Sequence, residues 1–294
     1  MMRYEVELQY ALLDVFTSRP FSGNQLAVFF EANVDRVAMQ AIARELNLSE
    51  TVFVDRAPGV AAALRIFTPF HEMRFAGHPT IGAALVLADD AGWVEPAALE
   101  FQLQLGIGPI RIAIERSLSA TVAWLTTPPV RFGAEFGTAE AAAMTGLSAS
   151  DLRPDLPAGL AGADVPFLYV PVASQAVVDR AAVVADEVRA RAGWDDINGV
   201  YVYALTGKGA YSRMFAPMSG IAEDPATGSA AGPLAAMLDR KGALPGGERF
   251  TIRQGVAMGR ESELFVRRAR GTDGAPAFQV GGSAVRAGRG TLFV

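Results

Sequence analysis

Three side chains in this sequence combine an ionisable group with surroundings in which it could move a proton. Glu50, in LNLSETVFVD (46–55), lies between Ser49 and Thr51 and directly before the apolar run Val52-Phe53-Val54. A carboxylate held half buried at such a strand edge has its pKa raised toward the neutral range suited to general acid–base work; the plainer reading is an exposed glutamate at a helix exit. His78 in AGHPTIGAA and Asp224 in EDPATGSAAGP each precede a proline and then a run of mostly small residues. First-turn N–H groups of a helix lack partners, the helix dipole adds partial positive charge, and small side chains let a ligand come close, so each start could receive an anion. The plainer readings are a helix cap for Asp224, since aspartate is among the best caps, and a turn residue for His78. In a fourth stretch, DVFTSRPFSGNQLAVF (14–29), Pro20, Gly23 and Asn24 separate two strand-like runs, as in a hairpin turn whose backbone could line a pocket.

The residues that are missing narrow the chemistry further. Cysteine is absent, which removes disulfides, thiolate metal sites, cysteine nucleophiles and any mechanism that uses two thiols as acid and base. His71 and His78 are the only histidines, which excludes a histidine-rich metal centre. No phosphate-binding GxxxxGK[ST] loop, no GxGxxG after a strand and no GxSxG elbow is present, so nucleotide and serine-hydrolase readings have no support. Net charge is −5 with no acidic or basic block, which leaves no electrostatic footprint for nucleic acid and favours a small-molecule partner. With 51% hydrophobic and 19% charged residues the chain is globular. No stretch approaches the roughly 20 apolar residues of a membrane-spanning helix. The start, MMRYEVELQY, alternates like a strand and lacks the apolar core of a signal peptide, so a soluble cytoplasmic protein is expected, and the scarcity of thiol and imidazole ligands leads to the expectation of no metal.

The elements that must position these residues form a mixed pattern. Strand-like runs occupy 4–16, 51–55, 62–68, 109–114, 166–172 and 198–205, and helix-like runs occupy 37–47, 79–92, 139–146, 180–193 and 225–242. Few helices among many strands favour an α+β fold with large mixed sheets. At 294 residues the chain exceeds the usual size of one core, and TTPPVRFGAEFG (126–137) is the natural boundary. The expected domains are 1–127 and 128–294, with the C-terminal strands free to cross back to the first.

The two parts also resemble each other. RIFTPF (65–70) matches RMFAPM (213–218), HPTIGAA matches DPATGSAAGP, and FQLQLGIG (101–108) matches FTIRQGVAMG (250–259), at offsets of 148, 146 and 149 residues. The common offset predicts a duplication in which His78 stands against Asp224, and two similar halves with a cleft between them, a favoured place for ligands.

DVFTSRPFSGNQLAVF, NLSETVFV, RIFTPFHEMRFAGHPTIGAA, DPATGSAAGP and the terminal GGSAVRAGRGTL, in this order along nearly the whole chain, resemble the PhzF family of phenazine-biosynthesis-like isomerases. The resemblance implies the diaminopimelate-epimerase-like fold: two similar, pseudo-symmetric α+β domains, each a curled mixed sheet around a central helix. It also implies a homodimer and a cofactor-independent isomerisation of a dihydro-hydroxyanthranilate-like carboxylate. In that reaction Glu50 moves the proton, His78 and Asp224 assist, and Asn24, Ser49, Gly77, Thr227, Gly228 and Ser229 bind substrate. Epimerisation of a small carboxylic acid, or carboxylate binding without turnover, are the alternatives. One departure is Gln25, where the family commonly reads GNPLAV; it bears on the substrate rather than the fold.

Overall fold

The computed structural model of the chain describes residues 6–294 apart from 90, 91, 96, 119, 194–196, 208, 218, 219, 272 and 273. Residues 4 and 5 of the expected first strand, 90 and 91 of the expected helix 79–92, and 218 of the second repeat motif lie outside the described residues. Two compact units are present, Met1–Thr126 with Gly281–Val294, and Thr127–Val280. Gly281–Val294 therefore groups with the first unit.

The first unit runs β1 (Glu7–Val15), β2 (Asn24–Phe30), α1 (Arg36–Leu46), β3 (Glu50–Asp55), β4 (Ala62–Phe67), β5 (Glu72–Met73), α2 (Gly77–Ala88), β6 (Glu100–Leu105), β7 (Gly108–Arg116) and β8 (Thr121–Thr126). The second runs β9 (Arg131–Phe136), α3 (Thr138–Thr145), β10 (Ala158–Gly162), β11 (Phe167–Pro171), α4 (Gln175–Arg180), α5 (Ala185–Ala192), β12 (Val200–Thr206), β13 (Gly209–Ala216), β14 (Ile221–Asp224), α6 (Gly228–Arg240), β15 (Phe250–Gln254), β16 (Ser262–Arg270) and β17 (Pro276–Gly282). The last strand, β18 (Ala284–Phe293), pairs antiparallel with β1 in the first unit.

Strand pairing repeats from one unit to the other. In the first, β1 is antiparallel to β2, β2 parallel to β3, β3 antiparallel to β4, β4 antiparallel to β5 and parallel to β6, and β6 antiparallel to β7. In the second, β10 to β16 follow the same sequence of senses. The duplication read from the sequence is thus present as topology, and the fold is a two-domain α+β one with mixed sheets.

The central helix of the first unit shows why the residues sit where they do. GHPTIGAALVLA is apolar all round, and in the structure every residue of α2 except Val86 is buried, with β1, β2, β3, β7, β8 and β18 packed around it. By contrast α1 is amphipathic. It buries Met39, Ile42 and Ala43 and starts at Asp35, whose side chain accepts from the Ala38 N–H at 2.9 Å. Phe29 stacks on Phe53 at 5.1 Å and Phe53 meets Phe67 edge-on at 5.6 Å, which ties β2, β3 and β4 into one core.

The expected helix 180–193 is instead two helices, α4 and α5. The break has a cause: Ala182 and Val184 donate to the Thr145 and Met144 carbonyls at the end of α3, and Arg213 Nη1 takes the Asp179 and Ala181 carbonyls at 2.9 and 3.2 Å. Those groups are then spent outside any continuous helix.

Candidate active site

In the first unit, parallel pairing brings two side chains to one sheet end. β2 opens with Asn24 and β3 opens with Glu50, in the register Leu26↔Glu50. The chain reaches Glu50 from α1 through Asn47, which closes the helix in the left-handed region with its N–H on the Ala43 carbonyl. His78, the second residue of α2, lies at the same place. Asn24 Nδ2 is 3.2 Å from His78 Nδ1, and His78 Nε2 is 3.4 Å from Glu50 Oε2.

The imidazole is 4% exposed and the Glu50 side chain 12%, so both groups are drawn largely out of water. Burial lowers the His78 pKa to about 3, against a smaller opposing effect of the Gln25 backbone, so the ring is neutral at ordinary pH. With the Asn24 amide donating to Nδ1, the ring proton sits on Nε2 and faces Glu50. Nε2 makes no hydrogen bond among the described residues, an uncommon state for a buried donor and one that suits a bound ligand.

In the second unit, Asp224 ends β14 and is 5% exposed. It is not a helix cap. The cap position of α6 belongs to Thr227, whose Oγ1 donates to Asp224 Oδ2 at 2.5 Å and caps nothing. Gln254, at the end of β15, donates through Nε2 to the Asp224 carbonyl at 2.7 Å and to Thr227 Oγ1 at 2.9 Å. Its Oε1 accepts from Tyr201 OH at 2.9 Å and from the Thr227 N–H at 3.3 Å. Tyr201 OH also lies 2.9 Å from Ser212 Oγ. Gly228 opens α6 and is buried, and Ser229 follows half buried.

The sheet register corrects the match of His78 with Asp224. Ile66 faces Met73 across β4 and β5, and Met214 faces Asp224 across β13 and β14. Asp224 therefore corresponds to Met73, Thr227 to Ala76, Gly228 to Gly77 and Ser229 to His78. Fork-like ion pairs confirm the shift: Arg65 grips Glu72 at 2.8 and 3.0 Å, and Arg213 grips Glu223 at 3.0 and 2.7 Å, over 7 and 10 residues respectively. The second copy carries three more residues between arginine and glutamate, so the two prolines that aligned in sequence are not equivalent. Both helices also start elsewhere than expected. Pro79 is the third residue of α2, within the first turn where its missing N–H costs nothing, and Pro225 precedes α6.

Of the residues read from the sequence, Asn24, Glu50 and His78 meet in the first unit, with Gly77 beginning α2 beside His78 and Ser49 next to Glu50. Asp224, Thr227, Gly228 and Ser229 gather at the start of α6. Sequence reasoning missed Gln254, Tyr201 and Ser212. One signal was present: Gln254 continues the inward alternation of Phe250 and Ile252 on β15.

The topology is that of the two-domain, epimerase-like α+β fold, and the named relatives make the chain an isomerase-class enzyme. The chain belongs to the PhzC-PhzF family of phenazine biosynthesis-like proteins, whose family model matches residues 13–290. It is 36% identical over 287 residues to trans-2,3-dihydro-3-hydroxyanthranilate isomerase of Pseudomonas chlororaphis, covering 97% of this chain and 99% of the relative. A solved structure of a predicted epimerase from Pseudomonas aeruginosa matches with a TM-score of 0.81 and 33% identity, over 98% of this chain and 99% of that one. A PhzF-family phenazine biosynthesis protein of Bacillus anthracis shares the fold with a TM-score of 0.87 at 21% identity, over 98% of this chain and 100% of that one.

Proposed function

We propose that this isomerase moves a proton within a small cyclic carboxylate of the trans-2,3-dihydro-3-hydroxyanthranilate kind, without a cofactor, with Glu50 taking the proton from carbon and returning it elsewhere on the same molecule. The observation that carries the reading is the buried pair of Glu50 and a neutral His78 whose Nε2 is 3.4 Å from the carboxylate. A base that must return the same proton works best shielded from water, and both side chains are largely so shielded. His78 holds no second proton to give at neutral pH. It serves instead as a hydrogen-bond donor, steadying the Glu50 carboxylate or the oxygen on which charge develops. The start of α2 at Gly77, where no side chain caps the helix, offers N–H groups for the substrate carboxylate. The candidate substrate-binding residues are Asn24, Ser49 and Gly77 in the first unit and, in the second, Asp224, Thr227, Gly228 and Ser229. The molecule works as a homodimer in the cytoplasm.

Turnover of trans-2,3-dihydro-3-hydroxyanthranilate by wild type and Glu50→Gln tests this. A positioned acid–base group is worth about 10²–10⁴-fold, so the variant loses that much of kcat; equal rates in the two proteins overturn the reading. Thermal stabilisation by cyclic carboxylates that survives Glu50→Gln, with no turnover by wild type, makes the chain a binding protein instead. The likeness to a predicted epimerase favours one second reading, inversion at a carbon next to a carboxylate. Stereochemical analysis of product formed in deuterated water separates the two.

A further inference from the structure

We propose that Gln254 is a positioning residue of the second unit: it fixes the Thr227 hydroxyl as a donor to Asp224 and so holds that carboxylate in one orientation toward bound substrate. The inference rests on the proposed function for the part Asp224 plays, but not for the geometry.

Both amide hydrogens of Gln254 are spent, one on the Asp224 carbonyl and one on Thr227 Oγ1. Its Oε1 receives the Tyr201 hydroxyl and the Thr227 N–H. Turning the amide over would set its hydrogens against the Thr227 N–H and its oxygen against the Asp224 carbonyl, so one orientation is selected. Because Thr227 Oγ1 already accepts from Gln254, the hydrogen of that hydroxyl is committed to Asp224 Oδ2. Gln254 and Tyr201 are fully buried and Ser212 nearly so, so this set cannot be traded for water without cost.

The first unit shows that the fold itself does not need these groups. Arg65 and Arg213 are equivalent by their ion pairs, and strand register carries the equivalence to their neighbours. Tyr201 faces Met214 as Val52 faces Ile66, and Ser212 faces Tyr203 as Leu64 faces Val54. Ala210 lies beside Ile252 as Ala62 lies beside Leu103, which sets Gln254 against Leu105. Val52, Leu64, Leu105 and Ala76 are buried apolar residues, and Met73 is apolar too. Five positions that are apolar in one copy are therefore polar in the other, and in that copy they bond to one another and converge on Asp224. A packing role is filled more cheaply by the aliphatic set. The polar set acts on the carboxylate.

Aspartate labelled with ¹³C at the side-chain carboxyl, with Asp224→Asn for assignment, gives the Asp224 protonation midpoint directly. Tyr201, whose phenol burial keeps neutral, and the Arg213–Glu223 pair on the neighbouring residue are both retained in Gln254→Met. Gln254→Met and Thr227→Val are expected to raise the midpoint by about one pH unit, because a hydrogen bond to the ionised form is weakened or lost. Thr227→Ser is expected to restore it. With trans-2,3-dihydro-3-hydroxyanthranilate, Gln254→Met is expected to lower kcat about tenfold with little change in KM. A wild-type midpoint in a folded Gln254→Met overturns the proposal. Should that variant fail to fold, Thr227→Val removes the hydroxyl that Gln254 is proposed to fix, and a wild-type midpoint there overturns it equally. If wild type turns over no such substrate, the proposed function falls, while the titration still decides the role of Gln254.

Discussion

His78 gives a prediction in which the sign, size and assay all follow from one side chain. In the folded chain its pKa is lowered from 6.5 to about 3 by burial. Between those values the unfolded chain binds a proton that the folded chain does not, so stability is complete above pH 6.5 and is lost progressively as pH falls toward 3. From the two pKa values the loss between pH 8 and pH 5 is about 2 kcal/mol, and the full loss at still lower pH is about 5 kcal/mol. Urea unfolding of wild type and His78→Gln at pH 8 and pH 5 isolates this contribution, because the other titrating groups are common to both. The pH-dependent loss should be about 2 kcal/mol larger in wild type. A direct reading is also available, since the chain has only two histidines and His71 is exposed. Of the two imidazole NMR signals, the one removed by His78→Gln should keep its neutral shift to pH 4, with its proton on Nε2. Equal pH slopes in the two proteins, or a His78 signal that titrates near 6.5, would refute the burial argument and with it the neutral hydrogen-bond donor beside Glu50.

Two further outcomes concern the framework that holds the site. A Cβ at Gly82 on α2 would stand 2.5 Å from Leu26 Cδ2 and 2.8 Å from Val15 Cγ2, both fully buried, so Gly82→Ala should cost about 1–3 kcal/mol despite the gain in helix propensity, read as a lower urea midpoint. Arg213→Met leaves Glu223, whose side chain is 13% exposed, without its guanidinium and should cost about 3 kcal/mol, whereas Arg191→Met, which breaks the exposed pair with Glu187, should stay within about 0.5 kcal/mol of wild type.

The fold was readable because both copies obey simple periodicities. RIFTPF and RMFAPM announce the same strand, and the all-round apolar character of 79–88 announces a helix enclosed by sheets. Glu50 was readable because three apolar residues follow it directly, and burial of its side chain resolves the choice left open between a half-buried and an exposed acid. The position of Asp224 within the repeat was not readable, because prolines at 79 and 225 aligned and hid three extra residues that only the sheet register exposes. Asn24 looked like a pocket-lining turn residue; its contact with His78 depends on β2 lying parallel to β3, a long-range fact no local pattern carries. Gln254 is intermediate. Set against Leu105 in the first copy, a lone amide on the inward side of β15 is a visible anomaly, but its partners Tyr201 and Thr227 are brought to it only by the fold.

The pairing of β1 with β18 has a consequence for how the chain is made. Thr127–Val280 is one continuous stretch that holds every strand pairing from β9 to β16, whereas the first unit keeps β1 waiting for a partner at the other end of the sequence. During synthesis the second unit can close as soon as it emerges. The unit synthesised first is completed last, and until β18 arrives the outer side of β1 is an open strand edge, the kind of surface on which nascent chains aggregate.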